Sequence, residues 1–243
     1  MEQKSPREVT AWQRAGWPDR SSLGEWGDEQ TWKREVESLR TLLWQRRLWL
    51  DEALELLMAE AELLNQAARW LGNTLAAGRK VLVAGNGGSA AQAQHLAAEL
   101  VGRFRRERRP YPVLSLTSDS AILTALANDY GYATAFARQV QALGEPGDLL
   151  LALSTSGESR NLIEAAKCAR QQGLFVLAMT GEGPSSLAEQ ADLALRMPGG
   201  HHAPLTQELH LLLIHVLCDL AEAQLCALTG QGLPIPRREG GGQ

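Results

Sequence analysis

Apolar residues change their spacing once along the chain. From about residue 32 to 78 they recur at helical intervals, first Leu39, Leu42, Leu43 and Leu50, then Leu54, Leu57, Met58, Leu63 and Leu64. This predicts two helices, the second ending near Ala77 before Gly78. After Lys80, short apolar runs alternate with helical segments. Val81–Ala84, Val113–Leu116, Leu149–Leu153, Phe175–Met179 and Leu193–Leu195 read as strands, with room for a helix between most neighbours. That rhythm predicts a parallel sheet with right-handed crossovers. The unbroken apolar run from Leu149 to Leu153 predicts strands buried on both faces. The expected fold is therefore α/β, a three-layer sandwich around a five-stranded, mainly parallel sheet, preceded by N-terminal helices. Residues 1–31 mix Pro, Gly, Ser and charge without periodicity and read as an irregular or partly disordered arm. Residues 32–230 form the folded domain, and residues 231–243 read as a flexible tail.

Composition narrows the function classes. A chain of 243 residues with 44% hydrophobic content and a net charge of -4 has no global basic field to attract nucleic acid. Small-molecule chemistry or protein partners are favoured. Cys168, Cys218 and Cys226 form no CxxC pattern, and three cysteines do not make a disulfide scaffold. The start MEQKSPREVT is polar, and no apolar run approaches the ~18 residues that a membrane span needs. A cytoplasmic protein with no membrane association is expected. All seven tryptophans precede residue 71; they serve either helix packing or a partner surface.

Chemistry concentrates at two strand-to-helix junctions, where open parallel sheets bind ligands. Gly85-Asn86-Gly87-Gly88-Ser89 follows the first strand and leads into a helix. Its glycines let backbone amides approach a ligand, but neither the dinucleotide spacing nor the P-loop ending is present. Leu153-Ser154-Thr155-Ser156-Gly157-Glu158-Ser159 follows the third strand. Hydroxyls and a glycine there can surround an anion such as phosphate with O–H and N–H donors, or can simply cap the next helix. A third oddity is the run Gln207-Glu208-Leu209-His210 through His215, polar residues in a leucine-rich helix.

Together with Ala127-Asn128-Asp129-Tyr130-Gly131-Tyr132 and Gly147-Asp148, these segments resemble the sugar isomerase (SIS) domain, a flavodoxin-like fold, and specifically the phosphoheptose isomerases. The resemblance covers roughly residues 45 to 228. It implies an aldose-ketose isomerase that converts D-sedoheptulose 7-phosphate to D-glycero-D-manno-heptose 7-phosphate for heptose biosynthesis. It further implies phosphate against Ser154, Thr155, Ser156 and Ser159, and sugar contacts from Asn86, Gly87, Gly88, Glu99, Asn128, Asp129 and Gln207. One zinc ion per subunit on His95, Glu99, Gln207 and His215, and a homotetramer, belong to the same implication. His95 and Glu99, four residues apart, share a helix face. Gln207 and His215, eight apart, lie about 80° around and ~12 Å along an ideal helix, so convergence needs long side chains or a bend. Glu208 and His210 point elsewhere and are expected at the surface or an interface.

Ketose-aldose interconversion moves a proton between C1 and C2 through an enediol. Glu99 is the expected base, and His215 the expected shuttle between the sugar oxygens. A carboxylate coordinating zinc is a weaker base, so Glu99 cannot serve both roles fully at once, and Gln is an unusual zinc ligand. Leu205-Thr206 replaces the Arg-Ile usual before this Gln-Glu pair in the family. The cluster Arg103-Phe104-Arg105-Arg106-Glu107-Arg108-Arg109 reads first as a solvated helix end, second as the place where Arg103 helps hold phosphate across a subunit interface, and third as a nucleic-acid patch. The alternative function is a non-catalytic regulatory SIS protein that resembles the replication-initiator-associating protein. That relative lacks the acid at 99 and the histidine at 215.

Overall fold

Successive strand residues point to opposite faces, so each buried strand feeds two cores. In the computed structural model, which describes residues 29–199 and 203–229, β1 (Val81–Gly85) turns Val81 and Val83 to one core and Leu82 and Ala84 to the other. With β2 (Val113–Ser115), β3 (Leu149–Ser154), β4 (Phe175–Thr180) and β5 (Leu193–Arg196) it forms one sheet in the order β2-β1-β3-β4-β5. Every neighbouring pair is parallel. The expected α/β sandwich is present, with the strands within a residue or two of their expected bounds.

Helices α1 (Glu29–Ala59), α2 (Ala61–Ala76), α3 (Gly88–Val101) and α8 (Ala203–Thr229) carry the apolar residues of the first core, including Leu57, Leu71, Leu96, Leu100, Leu209, Leu213 and Leu217. The second core is closed by α5 (Ala135–Leu143), α6 (Arg160–Gln171) and α7 (Ser186–Gln190) through Phe136, Val140, Leu162 and Leu187. Between β2 and α5, α4 (Ser120–Tyr130) buries no residue completely, and a short turn at Tyr132–Thr134 follows it.

The chain runs from β1 outward to β2, then returns to β3 on the other side of β1. That reversal opens a crevice at the carboxyl ends of β1 and β3. Their register, with Gly85 opposite Leu153, sets the glycine loop and the hydroxyl loop side by side.

Two expectations are corrected. The first helix begins at Glu29, inside the segment read as an arm; Glu29 places negative charge in the first turn and pairs with Lys33 at 2.8 Å. In addition, Ala203–Leu228 is long and apolar enough to cross a membrane by length and composition, with a mean hydropathy of 1.8. Its leucines supply the first core, which accounts for that apolarity without a bilayer. The remainder of the arm and the tail at 231–243 lie outside the described residues. Packing separates the chain into residues 1–49 and 50–243, a division that falls inside α1. In the first unit, Trp32, Trp44 and Trp49 are exposed, with Arg47 over the Trp44 ring and Arg46 over Trp49. Trp70, in the second, packs at a tilt against Phe175. All three cysteines are buried free thiols.

Candidate active site

The glycine loop is tied to the next crossover by a reciprocal amide pair. Asn86 Nδ2 donates to Asn161 Oδ1 at 2.9 Å, and Asn161 Nδ2 donates back to Asn86 Oδ1 at 2.9 Å. Tyr132 OH also donates to Asn86 Oδ1, at 2.8 Å. This brings the segment after α4 against the loop, three residues beyond Asp129. Asn128 donates to Asp129 at 2.7 Å, and both are exposed. The sequence reading gave neither Asn161 nor Tyr132 a role at the site, although Tyr132 closes one of the quoted motifs, because no local pattern links positions 75 and 46 residues from Asn86.

In the hydroxyl loop the four residues divide by role. Ser154 is buried; its Oγ accepts from the Gly157 N–H at 3.0 Å and shares a bond with Ser159 Oγ at 3.2 Å. Thr155 and Ser159 are half-buried and Ser156 exposed, at the N-terminus of α6 where amides and the helix dipole favour an anion. Gly157 has φ +66, and a Cβ there would overlap Ser185, whose hydroxyl caps α7. Glu158 would repel a phosphate if its carboxylate faced the loop. Instead it accepts from Ser186 N at 2.8 Å and Ser186 Oγ at 2.7 Å, and those bonds hold its carboxyl below the ordinary carboxylate range.

The second cluster is built by α3 and α8. His95 Nε2 lies 2.9 Å from His215 Nε2 and 3.2 Å from Glu99 Oε1, and donor atoms of the three residues all fall within 4.8 Å of one another. Two imidazole nitrogens this close repel unless a proton or a cation lies between them. A tetrahedral ion with ligands at 2.0–2.1 Å would hold its donors about 3.3 Å apart, so the three side chains fit a metal after small movements. Phe104 stacks on the His215 ring, with centroids 5.7 Å apart and planes at 21°. Gln207 sits elsewhere along α8. Its side-chain amide packs against Gly88 so closely that a Cβ on Gly88 would come within 2.7 Å of it, and its backbone carbonyl accepts from Gln92 Nε2. The structure thus gathers His95, Glu99 and His215, and puts Gln207 at the first turn of α3, seven residues before His95.

His210 is corrected from a surface or interface residue to a core one. It is fully buried, with Nε2 3.3 Å from the Thr180 carbonyl. Burial pushes its imidazole down to about 4, so it is neutral at physiological pH. Helical periodicity explains the error: His210 falls on the same face as Leu209, Leu213 and Leu217, the face that α8 turns to the sheet. Glu208 is exposed.

The SIS domain family matches residues 50–181. The chain is 52% identical over 149 residues to a phosphoheptose isomerase of Nitratidesulfovibrio vulgaris, covering 61% of this chain and 71% of that one. It is 48% identical over 167 residues to one from Rhodospirillum rubrum, covering 69% and 88%. Among solved structures, phosphoheptose isomerase from Neisseria gonorrhoeae superposes with a TM-score of 0.71 at 38% identity, covering 77% of this chain and 98% of that chain.

Proposed function

The chain belongs to the phosphoheptose isomerases, a family of SIS domain proteins, and from that premise we propose how its residues carry out the reaction. It is a sugar-phosphate isomerase that interconverts D-sedoheptulose 7-phosphate and D-glycero-D-manno-heptose 7-phosphate in heptose biosynthesis. The observation that carries the mechanism is the approach of Glu99 and His215 within one three-residue cluster, from positions 116 residues apart.

Thr155, Ser156 and Ser159, with the amides opening α6, hold the phosphate, and Ser154 closes the turn that presents them. Asn86, Gly87, Gly88, Asn128, Asp129 and Gln207 contact the sugar. Glu99 takes a proton from C1 of the ketose, leaving an enediol, and returns a proton to C2. His215 accepts the proton of the O1 hydroxyl and delivers one to O2, so that C1 finishes as the aldehyde and C2 as the alcohol. His95, Glu99 and His215 would hold zinc, one ion per subunit, while Gln207, which packs against Gly88, is left to the sugar; when bound, the ion would supply Lewis acidity that polarises a carbonyl oxygen. The shared use of Glu99 is resolved if its second oxygen remains free to move the proton.

Glu99 lies eleven residues beyond Gly88, roughly 16 Å along α3. That separation of the glycine loop from the base exceeds an extended sugar phosphate and favours a site shared between chains; the homotetramer itself is proposed from the likeness to the family. Arg103, exposed and 3.8 Å from Glu107, is then available to a neighbouring subunit's phosphate. Residues 32–230 are assigned to the SIS domain with its N-terminal helices, and the enzyme to the cytoplasm.

The test is incubation with sedoheptulose 7-phosphate, comparing wild type with Glu99→Gln and His215→Gln. Wild type is expected to form the aldose, and both variants to lose at least ~100-fold in kcat. A folded, zinc-loaded wild type without isomerase activity refutes the mechanism, and an active Glu99→Gln refutes the base.

A further inference from the structure

A buried ion pair lies behind the Glu99–His215 cluster, on residues that no step of the reaction uses. Glu222 on α8 and Arg108 in the segment after α3 meet at 3.1 Å with both side chains fully buried. The Glu222 carboxylate also accepts three successive backbone amides, from Phe104 at 3.2 Å and from Arg105 and Arg106 at 2.9 Å each. The Arg108 guanidinium spends its remaining donors on carbonyls: Glu99 at 2.9 Å, Leu100 at 2.9 Å, Gly102 at 2.8 Å and Arg109 at 3.1 Å. Arg108 therefore caps the carbonyl end of α3, which would otherwise leave orphaned acceptors and fray.

Stability alone is a weak reason for such a pair. Taking both charges out of water is costly, and well-packed apolar residues of similar volume often serve as well or better. What apolar residues cannot do is hold three consecutive amides and three helix-end carbonyls in one geometry. The residues so held are informative. One carbonyl belongs to Glu99, in the last turn of α3. The first amide belongs to Phe104, whose ring stacks on His215.

We infer that Arg108 and Glu222 are positioning residues for the isomerisation centre: one ion pair sets the Glu99 end of α3 and, through Phe104, the orientation of the His215 imidazole. This rests on the assignment of Glu99 and His215 as base and proton shuttle. Both must face the C1–C2 bond at once, and a displacement of about 1 Å in such a group can cost 10²-fold in rate. Thr155, Ser156 and Ser159 lie on another loop and the Phe104 ring faces His215 rather than Arg103, so loss of the ring acts on kcat and leaves KM alone.

The test uses the full-length protein and two readouts. In steady-state kinetics with sedoheptulose 7-phosphate, Phe104→Leu is expected to lose about 10-fold or more in kcat with KM within about twofold of wild type, while Phe104→Tyr, which keeps the stacked ring, retains wild-type kcat. Glu222→Gln is expected to match or exceed the loss in Phe104→Leu. In NMR spectra of ring protons, the His215 signals should move in Phe104→Leu and in Glu222→Gln, but stay in place in Phe104→Tyr. Wild-type kcat in both folded Phe104→Leu and Glu222→Gln, or unmoved His215 signals in Glu222→Gln, overturns the inference. Should Glu222→Gln not fold, the Leu and Tyr variants of Phe104 still decide it. A wild type with no turnover would instead refute the proposed function, and the NMR comparison would still test the positioning.

Discussion

Gly157→Ala separates two effects that one glycine combines. Its φ of +66 lies in the left-handed region, which costs an alanine about 1–2 kcal/mol. The new methyl would also overlap Ser185, whose hydroxyl accepts from Ala188 N and caps α7. Moving Ser185 aside forfeits that cap, worth about 1 kcal/mol. The combined loss is roughly 2–3 kcal/mol, whereas Gly183→Ala, at φ +88 with open space around it, should lose only the backbone part. At fixed protein concentration each kcal/mol lowers Tm by about 2–4 °C for a chain of this size. Thermal denaturation of the two variants beside wild type measures the difference, expected to be about 3 °C. Gly157 also donates to Ser154 and shapes the loop assigned to phosphate. Gly157→Ala should therefore raise KM for sedoheptulose 7-phosphate while Gly183→Ala leaves it unchanged. Equal losses of stability would refute the steric reasoning, and an unchanged KM in Gly157→Ala would refute the assignment of the loop.

His210 makes stability depend on pH. Its folded-state value of about 4 lies below the ordinary 6.5, so the unfolded chain binds the proton first as pH falls. The contribution is complete above about 6.5 and disappears progressively down to about 4, a loss of about 3 kcal/mol. Urea midpoints at pH 7 and pH 4 should differ less in His210→Gln than in wild type by that amount, and parallel losses would refute the assignment. Chelation of zinc should abolish activity and added zinc restore it, but not in His95→Ala; a fully active metal-free enzyme would contradict the proposed centre. Leu151→Ala, in the fully buried central strand β3, should lower stability by about 2–5 kcal/mol in urea titration without changing KM.

Periodicity and residue type alone determined much of this protein. Apolar runs that alternate with helical spacing permit few arrangements besides a parallel sheet with helices on both faces, because buried strands must hide both faces and parallel strands need crossovers. The two junction loops were legible for a similar reason, since glycines and hydroxyls at a strand's carboxyl end have a limited set of uses. His95 and Glu99 were visible as a pair because four residues make one helical turn. His210 was misplaced because residue type argued for the surface, while the core face of α8 is wide enough to bury both Leu209 and its neighbour, and the sequence does not show how wide that face is. Only the tertiary structure decided that His215 meets His95 from 120 residues away, that Gln207 lies against Gly88 instead, and that Asn161 holds Asn86. The same holds for the pairing of Arg108 with Glu222, which depends on the turn after α3 folding over α8. These are contacts between side chains distant along the chain, and their geometry depends on how rigid elements pack, which no local pattern encodes.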